Sequence, residues 1–200
     1  MATHLRTYPP SLLRQFIRTA NAEVGQNELA QLINDPSLMD MKVINSLNEH
    51  QAAETYAEIQ HRLRAYYGRG ARGILLRIGQ NLWKSTLEEQ GIMVRILAAG
   101  VKLIPAGMRQ KPALDLLARV MRGKEGSVSV HTMDLNLLFV DSSSPTTEGL
   151  QESQPVCFVT LGLIRGLLFW ATENDHDVEE TGCRAMGNDA CEFKIVVAGK

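Results

Sequence analysis

The sequence has no excess of charge of either sign, since 21 Lys and Arg residues stand against 22 Asp and Glu residues and the formal net charge is −1. Proteins that bind nucleic acid usually carry a basic stripe, so no nucleic-acid partner is expected. No apolar run is long enough for a stable membrane span, because Arg95, Lys102 and Arg165 interrupt the two longest. Residues 1–16 contain no apolar signal core. We therefore expect a cytoplasmic protein whose thiols are reduced.

Catalytic motifs are missing as well. The chain has no G-x-S-x-G nucleophile elbow, no H-E-x-x-H motif, no P-loop and no c-type haem motif. Residues 68–73, G-R-G-A-R-G, formally match the dinucleotide fingerprint, but that motif functions only between a strand and a helix. The segment before it has a helical pattern, so we interpret these glycines as a sharp corner between two helices. Whether the chain is an enzyme stays open, and the missing motifs favour a binding function.

What is present is an ordered change from helical to strand-like patterns. Apolar residues recur at helical spacing in the first part of the chain. They predict a helix capped by Ser11 and others over about residues 27–33, 52–67, 74–88, 92–104 and 112–122. Alternation predicts strands at residues 127–134 and 136–141, and a polar loop that follows, residues 142–154, is interpreted as a flexible flap. Helices before strands indicate an α+β fold.

A last helix precedes the C-terminal strands. Pro155 can open this helix, because its missing N–H would have no partner at a helix start anyway, and the pattern fades near Asn174. Gly162 and Gly166 are four residues apart and leave one helix face nearly bare. We expect another backbone or a ligand to approach closely at this face.

All three cysteines lie near the C-terminus, at Cys157, Cys183 and Cys191. Residues 187–189, Gly-Asn-Asp, are typical of a turn between two strands, which we place at about residues 177–185 and 190–197. In such a hairpin Cys183 and Cys191 lie on adjacent strands, where side chains roughly opposite each other are about 5 Å apart.

Glu180 is the fourth member of this group, but it lies an odd number of positions before Cys183. A regular strand would point the two side chains to opposite faces, so we predict a bulge at residues 181–182. With Cys157 the set becomes three thiolates and one carboxylate, which suits tetrahedral zinc. Two alternatives stay open: free cysteines are common core residues, and Cys183 could pair with Cys191 in a disulfide if the chain were secreted.

The same C-terminal residues carry a resemblance to a known family. They are Cys157, Gly162, Gly166, Val178, Glu180, Cys183, Gly187, Cys191 and Phe193. Their spacing resembles the C-terminal signature of the 4-vinyl reductase domain family, and the resemblance spans about residues 72–197. The family includes sensor domains of phenol- and toluene-responsive bacterial activators and a protein of bacteriochlorophyll biosynthesis.

The resemblance implies a fold, a metal and an assembly. The family's fold is an antiparallel sheet packed against helices, similar to vesicle-tethering (TRAPP) subunits, and such domains usually form homodimers through helices. In the aromatic sensors a structural zinc is held by three cysteines and one glutamate in this order, which implies a zinc site at Cys157, Glu180, Cys183 and Cys191. We expect residues 71–200 to form the domain that resembles this family and residues 1–70 to form an N-terminal helical extension.

Several residues are candidates for the wall of a ligand pocket, because such walls are mostly apolar and methionine adapts to ligand shape. The candidates are Trp83, Met108, His131, Met133, Phe139, Phe169 and Trp170. His131 has no partner motif, so a surface or core role competes with a ligand contact. His176, in a polar turn, is an alternative metal ligand.

Three hypotheses follow. The first is a stand-alone zinc-stapled domain that binds a hydrophobic small molecule, aromatic, lipid-like or tetrapyrrole, as a receptor or carrier. The second is an accessory factor or reductase of bacteriochlorophyll biosynthesis, although no nicotinamide, flavin or iron–sulfur motif is visible for a reductase. The third is a dimeric scaffold, which is expected if the interior is solidly packed without a pocket.

Overall fold

The computed structural model describes residues 7–33, 36–121 and 127–197, and over these residues the helices largely precede the strands. The α-helices are α1 (Pro10–Val24), α2 (Gln26–Leu32), α3 (Met41–Ser46), α4 (Glu49–Tyr67), α5 (Ala71–Glu89), α6 (Ile92–Leu103), α7 (Gln110–Met121) and α8 (Phe158–Thr172). The strands are β1 (Val128–Met133), β2 (Asn136–Asp141), β3 (Val178–Gly182) and β4 (Cys191–Val196). The predicted α+β class is therefore confirmed. Within the described ranges, no helix is both long and apolar enough to cross a membrane.

The strands form one antiparallel sheet in the order β1-β2-β4-β3. Buried and less buried residues alternate along β2 and β4, so one face of the sheet packs against the protein interior. Phe139 of β2 lies opposite Phe193 of β4, and the two rings meet edge-on with centroids 6.2 Å apart. Both belong to the same core cluster as the buried side chains of α8.

Helices α5 and α8 pack backbone against backbone at three glycines. A Cβ atom added at Gly79 would lie 2.1 Å from the carbonyl oxygen of Val159, and one added at Gly162 would lie 2.2 Å from that of Leu76. A Cβ atom at Gly166 would likewise lie 2.2 Å from a carbonyl oxygen of α5. The bare helix face predicted from the sequence is confirmed, and the partner that fills it is another backbone.

The N-terminal helices are part of the same core. Helix α1 begins at Pro10 with Pro9 as its N-cap residue, so the predicted cap at Ser11 is wrong. The helix packs on α5 and α4. Its Phe16 contacts the ring of Tyr56, which stacks on Tyr8 with centroids 4.1 Å apart. One cluster of buried apolar side chains runs through the described residues from Tyr8 to Ile195. The division at residue 70 stays a prediction.

The corner between α4 and α5 has the predicted form. Helix α4 ends at Tyr67, a single 3-10 turn covers Gly68–Gly70, and α5 begins at Ala71. Gly68 has a φ of 51°, which glycine adopts most readily. The segment before the motif is a helix rather than a strand, so its match to the dinucleotide fingerprint is coincidental.

Several further details differ from the predictions. Helix α8 begins at Phe158 rather than Pro155, because Cys157 has φ −82° and ψ 49°, outside the helical region. Helix α3 was not expected, since six residues are too few to show a periodic pattern. The strand expected to reach residue 185 ends at Gly182, and a 3-10 turn at Arg184–Met186 follows.

Another difference concerns the polar loop at residues 142–154. Residues 143–147 are buried, and Pro145–Thr147 forms a 3-10 turn against α4. The side-chain amide of Gln60, itself buried, donates to the hydroxyl of Thr146 over 3.1 Å. The expectation of a flexible flap is wrong for this half of the loop, because its hydroxyl groups find partners inside the protein.

Candidate metal centre and adjacent groove

The four predicted metal ligands converge. Cys157 immediately precedes α8, Glu180 lies in β3, Cys183 follows β3 and Cys191 begins β4. Their ligand atoms all lie within 4.8 Å of one another, and the sulfur atoms of Cys157 and Cys191 are 3.4 Å apart. All three cysteines are fully buried and reduced, and Glu180 is 7% exposed. Residues 34 positions apart in the chain thus meet in one cluster.

The predicted bulge brings Glu180 into this cluster. Glu180 pairs with Phe193 and Gly182 pairs with Glu192, so Thr181 is an extra residue in β3. The extra residue reverses the side-chain alternation and points Glu180 to the cysteine side. The expectation of an irregularity at residues 181–182 is confirmed.

A tight turn then holds Cys183 in place. The carbonyl oxygen of Cys183 accepts hydrogen bonds from the backbone N–H groups of Met186 and Asn188, and its own N–H donates to the side-chain oxygen of Asn188. Gly187 has a φ of 92°, a conformation that glycine adopts without strain. The turn returns the chain to Cys191 with both thiols on the same side.

Glu180 shows the strongest sign that a cation belongs in the cluster. One of its carboxylate oxygens accepts the backbone N–H of Cys157 over 3.0 Å. The other is buried and has no hydrogen-bond partner in the part of the chain that the structure describes. An unsatisfied buried polar group costs about 1–3 kcal/mol. Burial also raises the pKa of this carboxyl to about 8, so the charged form needs a positive partner.

The thiols are coupled in the same way. Hydrogen bonds with Cys183 and Cys191 raise the pKa of Cys157 well above its ordinary value, and burial adds to the effect. Hydrogen bonds with Cys157 and Cys191 lower the pKa of Cys183, so one thiolate is favoured in the cluster. At Cys191 the contact with Cys157 lowers the pKa, but Cys183 and burial outweigh it and the pKa is raised. Only a few of these four groups can therefore be ionised at the same time. Burial excludes the water that would stabilise further negative charges.

The donor set fits zinc. Zinc binds cysteine sulfur at about 2.3 Å in a tetrahedron, so the sulfur atoms around it are about 3.8 Å apart. The spread of the four ligand atoms here matches that size. Four protein donors would fill the tetrahedron, and sites without an open position are structural rather than catalytic.

Two further groups contact the sulfur atoms. The backbone N–H of Arg184 donates to the sulfur of Cys191 over 3.5 Å, and the hydroxyl of Ser144 lies 3.7 Å from the sulfur of Cys157. Such contacts orient and stabilise metal-bound thiolates. Sequence reasoning missed both, because a backbone donor leaves no sequence signal and Ser144 lies in the loop that was taken for a flap.

A groove of about 660 Å³ lies between α5 and α8. It is lined by Gln80, Asn81, Trp83, Lys84, Arg165, Gly166, Phe169, Trp170, Asp175 and His176. The rings of Trp83 and Trp170 meet edge-on with centroids 5.5 Å apart. The lining combines aromatic side chains with a few polar ones, which is the usual composition of a small-molecule site.

Three of the seven candidate ligand contacts, Trp83, Phe169 and Trp170, line this groove. Phe139 is instead fully buried in the sheet core, and the other three are exposed away from the groove. These exposed residues are Met108, His131 and Met133. Their role as ligand contacts stays a prediction, and the structure does not bring them together with the groove residues. His176 lines the groove and is not a member of the cysteine cluster.

The sequence reasoning missed the polar wall of the groove, namely Gln80, Lys84 and Arg165. A signal existed for Arg165, since it is the sole charged residue between Cys157 and Ala171. A cation in an otherwise apolar helix usually has a structural or functional reason. Lys84 and Gln80 carried no such signal, because polar residues are ordinary on a helix surface.

Comparison with known proteins gives a family match over part of the chain and two solved structures of similar fold. No protein of curated function matches the sequence. The phenol-responsive sensory domain of the transcription activator PoxR, with phenol, is 16% identical with a TM-score of 0.52, over 72% of this chain and 73% of that chain. An H-NOX protein from S. oneidensis in the Fe(II)NO state is 13% identical with a TM-score of 0.52, over 95% and 99%. At these identities the likeness establishes the fold alone.

The family match covers the metal cluster. The model of the 4-vinyl reductase domain matches residues 140–197, which include Cys157, Glu180, Cys183 and Cys191. The match begins well after residue 72, where the resemblance was expected to start. The match covers less than a third of the chain, and over residues 140–197 it bears out the predicted resemblance to this family.

Proposed function

We propose that this protein is a small-molecule-binding domain whose fold is stabilised by a structural zinc ion. The observation that carries the proposal is the buried set of Cys157, Glu180, Cys183 and Cys191, with all ligand atoms within 4.8 Å. The unsatisfied oxygen of Glu180 supports a cation at this place. The family match and the phenol-responsive sensory domain of similar fold support a sensing or binding role.

The zinc would act on the fold rather than on a reaction. It would bond the residue before α8 to β3, to the turn after it and to the start of β4. Coordination of one zinc ion by four residues from these elements would stabilise the C-terminal hairpin, because the binding free energy of a structural zinc contributes to folding. A cytoplasmic location would keep the thiols reduced and available for the metal.

The ligand would be a hydrophobic small molecule held between α5 and α8. The supporting features are the aromatic walls formed by Trp83, Phe169 and Trp170 and a groove volume of about 660 Å³. Residues 71–200 would form the binding domain, with residues 1–70 as its helical extension. The protein would act as a receptor or carrier. A role in bacteriochlorophyll biosynthesis stays a prediction from the resemblance alone.

One observation favours a second candidate, a dimeric scaffold. Helix α6 exposes a row of large apolar side chains, namely Ile92, Met93, Ile96, Leu97 and Leu103. Contiguous exposed apolar side chains often mark contacts with other proteins. A homodimer through this helix is compatible with ligand binding in the groove, because the two surfaces use different residues.

The first experiment is native mass spectrometry of the purified protein, with elemental analysis of the same sample. We expect one zinc ion per chain and an organic adduct, and the intact mass also gives the oligomeric state. Cys183→Ala should lose the zinc, whereas Met186→Ala, in the same turn but outside the cluster, should keep it. A well-folded protein that takes up no zinc when zinc is supplied would contradict the proposed structural zinc site.

A further inference from the structure

The groove between α5 and α8 carries two cations that no acid neutralises directly in the part of the chain that the structure describes. Lys84 and Arg165 both line it, and neither forms an ion pair within the described ranges. Asp175 is the single acidic residue of the lining. Burial lowers the pKa of His176, against a smaller opposite effect of Asp175, so its imidazole is neutral at pH 7. The lining therefore has a net charge of about +1.

Two hydrogen-bond donors of the same lining lack acceptors. The indole N–H of Trp83 is buried, with the residue 1% exposed, and it has no partner among the residues described. The Nε atom of Arg165 is in the same situation, although another nitrogen of its guanidinium donates to the carbonyl of Val178 over 3.0 Å. Buried donors without acceptors are uncommon in native proteins, and both of these belong to residues of the groove lining.

The apolar part of the lining suits a flat ring system. Phe169 is 54% exposed, an unusual state for a phenylalanine, and it lies beside Trp170 in the wall. Aromatic walls favour ring ligands through offset or edge-on contacts. The volume of about 660 Å³ falls in the range of drug-sized ligands, about 300–1,000 Å³, so the space accommodates more than a single ring.

On these grounds we propose that the groove selects an aromatic anion, a molecule of two or more fused rings that carries a carboxylate or another oxyanion. The inference rests on the proposed function and adds the charge of the ligand to it. The ring contacts Phe169 and Trp170, and the anionic oxygen meets the positive charges of Lys84 and Arg165. A neutral ligand of the same shape leaves those charges without a partner.

The test compares two probes with the same ring on the full chain in its zinc-loaded form. The probes are 1-pyrenebutanoate, an anion, and 1-pyrenebutanol, its neutral analogue. The protein has two tryptophans, and both line the groove, so quenching of tryptophan fluorescence reports binding at this site. We expect the anion to bind at least about tenfold more tightly than the alcohol, with a preference that weakens as salt is raised.

Lys84→Gln is the informative variant, because Lys84 is exposed and its replacement does not disturb the core. It should lower the affinity for the anion about fivefold or more and leave the affinity for the alcohol unchanged. Lys111→Gln is the matched control: Lys111 is exposed on α7 and does not line the groove, so both affinities should stay as in the parent protein.

The outcomes separate this inference from the proposed function. Equal affinity for the two probes would overturn the charge selection and leave a hydrophobic binding site standing. An anion preference that survives Lys84→Gln in full would also overturn it, because the charge would then act elsewhere. Binding of neither probe would count against small-molecule binding in the groove altogether, and so against both proposals.

Discussion

Helix α8 connects two sites that differ in almost every physical respect. At its start, Cys157 joins a cluster whose four ligand side chains are buried and contact one another. Further along, Arg165 and Trp170 line an open groove in which Phe169 is 54% exposed. A buried donor set that fills the coordination of a metal fixes a fold, whereas an open set with unsatisfied donors can exchange a ligand. The same helix can serve both purposes because they lie on different turns.

The contact between α5 and α8 lies between the cysteine cluster and the aromatic side chains of the groove, so it connects the two sites. Gly162 and Gly166 hold the two helix backbones together between the cluster and the groove walls. A change at the cluster should alter how the start of α8 is held. A change at the glycines should alter the distance between α5 and α8 and so the width of the groove. The comparison therefore predicts effects of different size on stability and on binding.

Removal of the metal should have the largest effect. At a free zinc concentration a thousandfold above Kd, the bound metal adds about 4 kcal/mol to the free energy of unfolding. We expect a chelator to lower the free energy of unfolding by about that amount, and Cys183→Ala to do the same without chelator. Urea denaturation with and without the chelator measures both.

The control for this prediction is the combination of chelator and variant. Because both remove the same bond, their effects should not add, and Cys183→Ala should be insensitive to chelator. A chelator effect of equal size in the variant would contradict the assignment of the metal to this cluster.

Gly162→Ala should have the next largest effect. The new methyl group would meet the backbone of α5, which cannot rotate away, so the helices must separate at a cost of about 1–3 kcal/mol. Gly100→Ala in α6 is the matched control, since nothing lies within 4 Å of a Cβ atom there. It should stabilise the helix by about 0.5–1 kcal/mol. Thermal unfolding of both variants tests the pair, and equal destabilisation would refute the close-packing argument.

Much of the candidate metal centre was predictable from the sequence. Three cysteines and Glu180 were identified from residue type and family signature, and the bulge at residues 181–182 followed from the two-residue repeat of a strand. These features are local: they depend on spacing along one stretch of chain. Most elements of the fold were predictable for the same reason, with boundary errors of a few residues at α4, α5, α8 and β3, but the short helix α3 was missed.

The groove was only partly predictable. Trp83 and Trp170 could be named as wall candidates, but nothing in the sequence shows that they meet, since α5 and α8 are far apart in the chain. Phe139 has the same residue type as Phe169 and yet packs in the core. Whether an aromatic residue faces a core or a groove is set by long-range packing, and periodicity does not carry that information.

Glu180→Gln should weaken metal binding without unfolding the protein. The amide keeps the shape of the side chain and can still accept the N–H of Cys157, but it lacks the charge that a zinc ligand supplies. We expect at least about a tenfold loss of zinc affinity, measured by competition with a chelating dye. Glu179→Gln is the matched control, because Glu179 is the exposed neighbour on the other strand face. A full-affinity Glu180→Gln protein would remove the carboxylate from the ligand set.

The smallest expected difference between the two sites is the number of protons released when each site binds its ligand. Burial raises the pKa of Glu180 to about 8, and the pKa values of Cys157 and Cys191 are also raised, so these three groups hold protons at pH 7 in the metal-free protein. Cys183, whose pKa is lowered, is already a thiolate. Zinc binding at pH 7 should therefore release about three protons, and zinc affinity should fall as the pH is lowered.

Calorimetric titrations in buffers of different ionisation enthalpy count these protons. In Glu180→Gln the count should fall by about one. Binding of 1-pyrenebutanoate in the groove should release or take up about no protons, because the probe is already an anion at pH 7 and His176, whose pKa is lowered by burial, stays neutral. Zinc binding without proton release would mean that the cluster is already ionised before the metal arrives. Coupled proton uptake at the groove would mean that His176, rather than Lys84 and Arg165, supplies the charge that meets the anion.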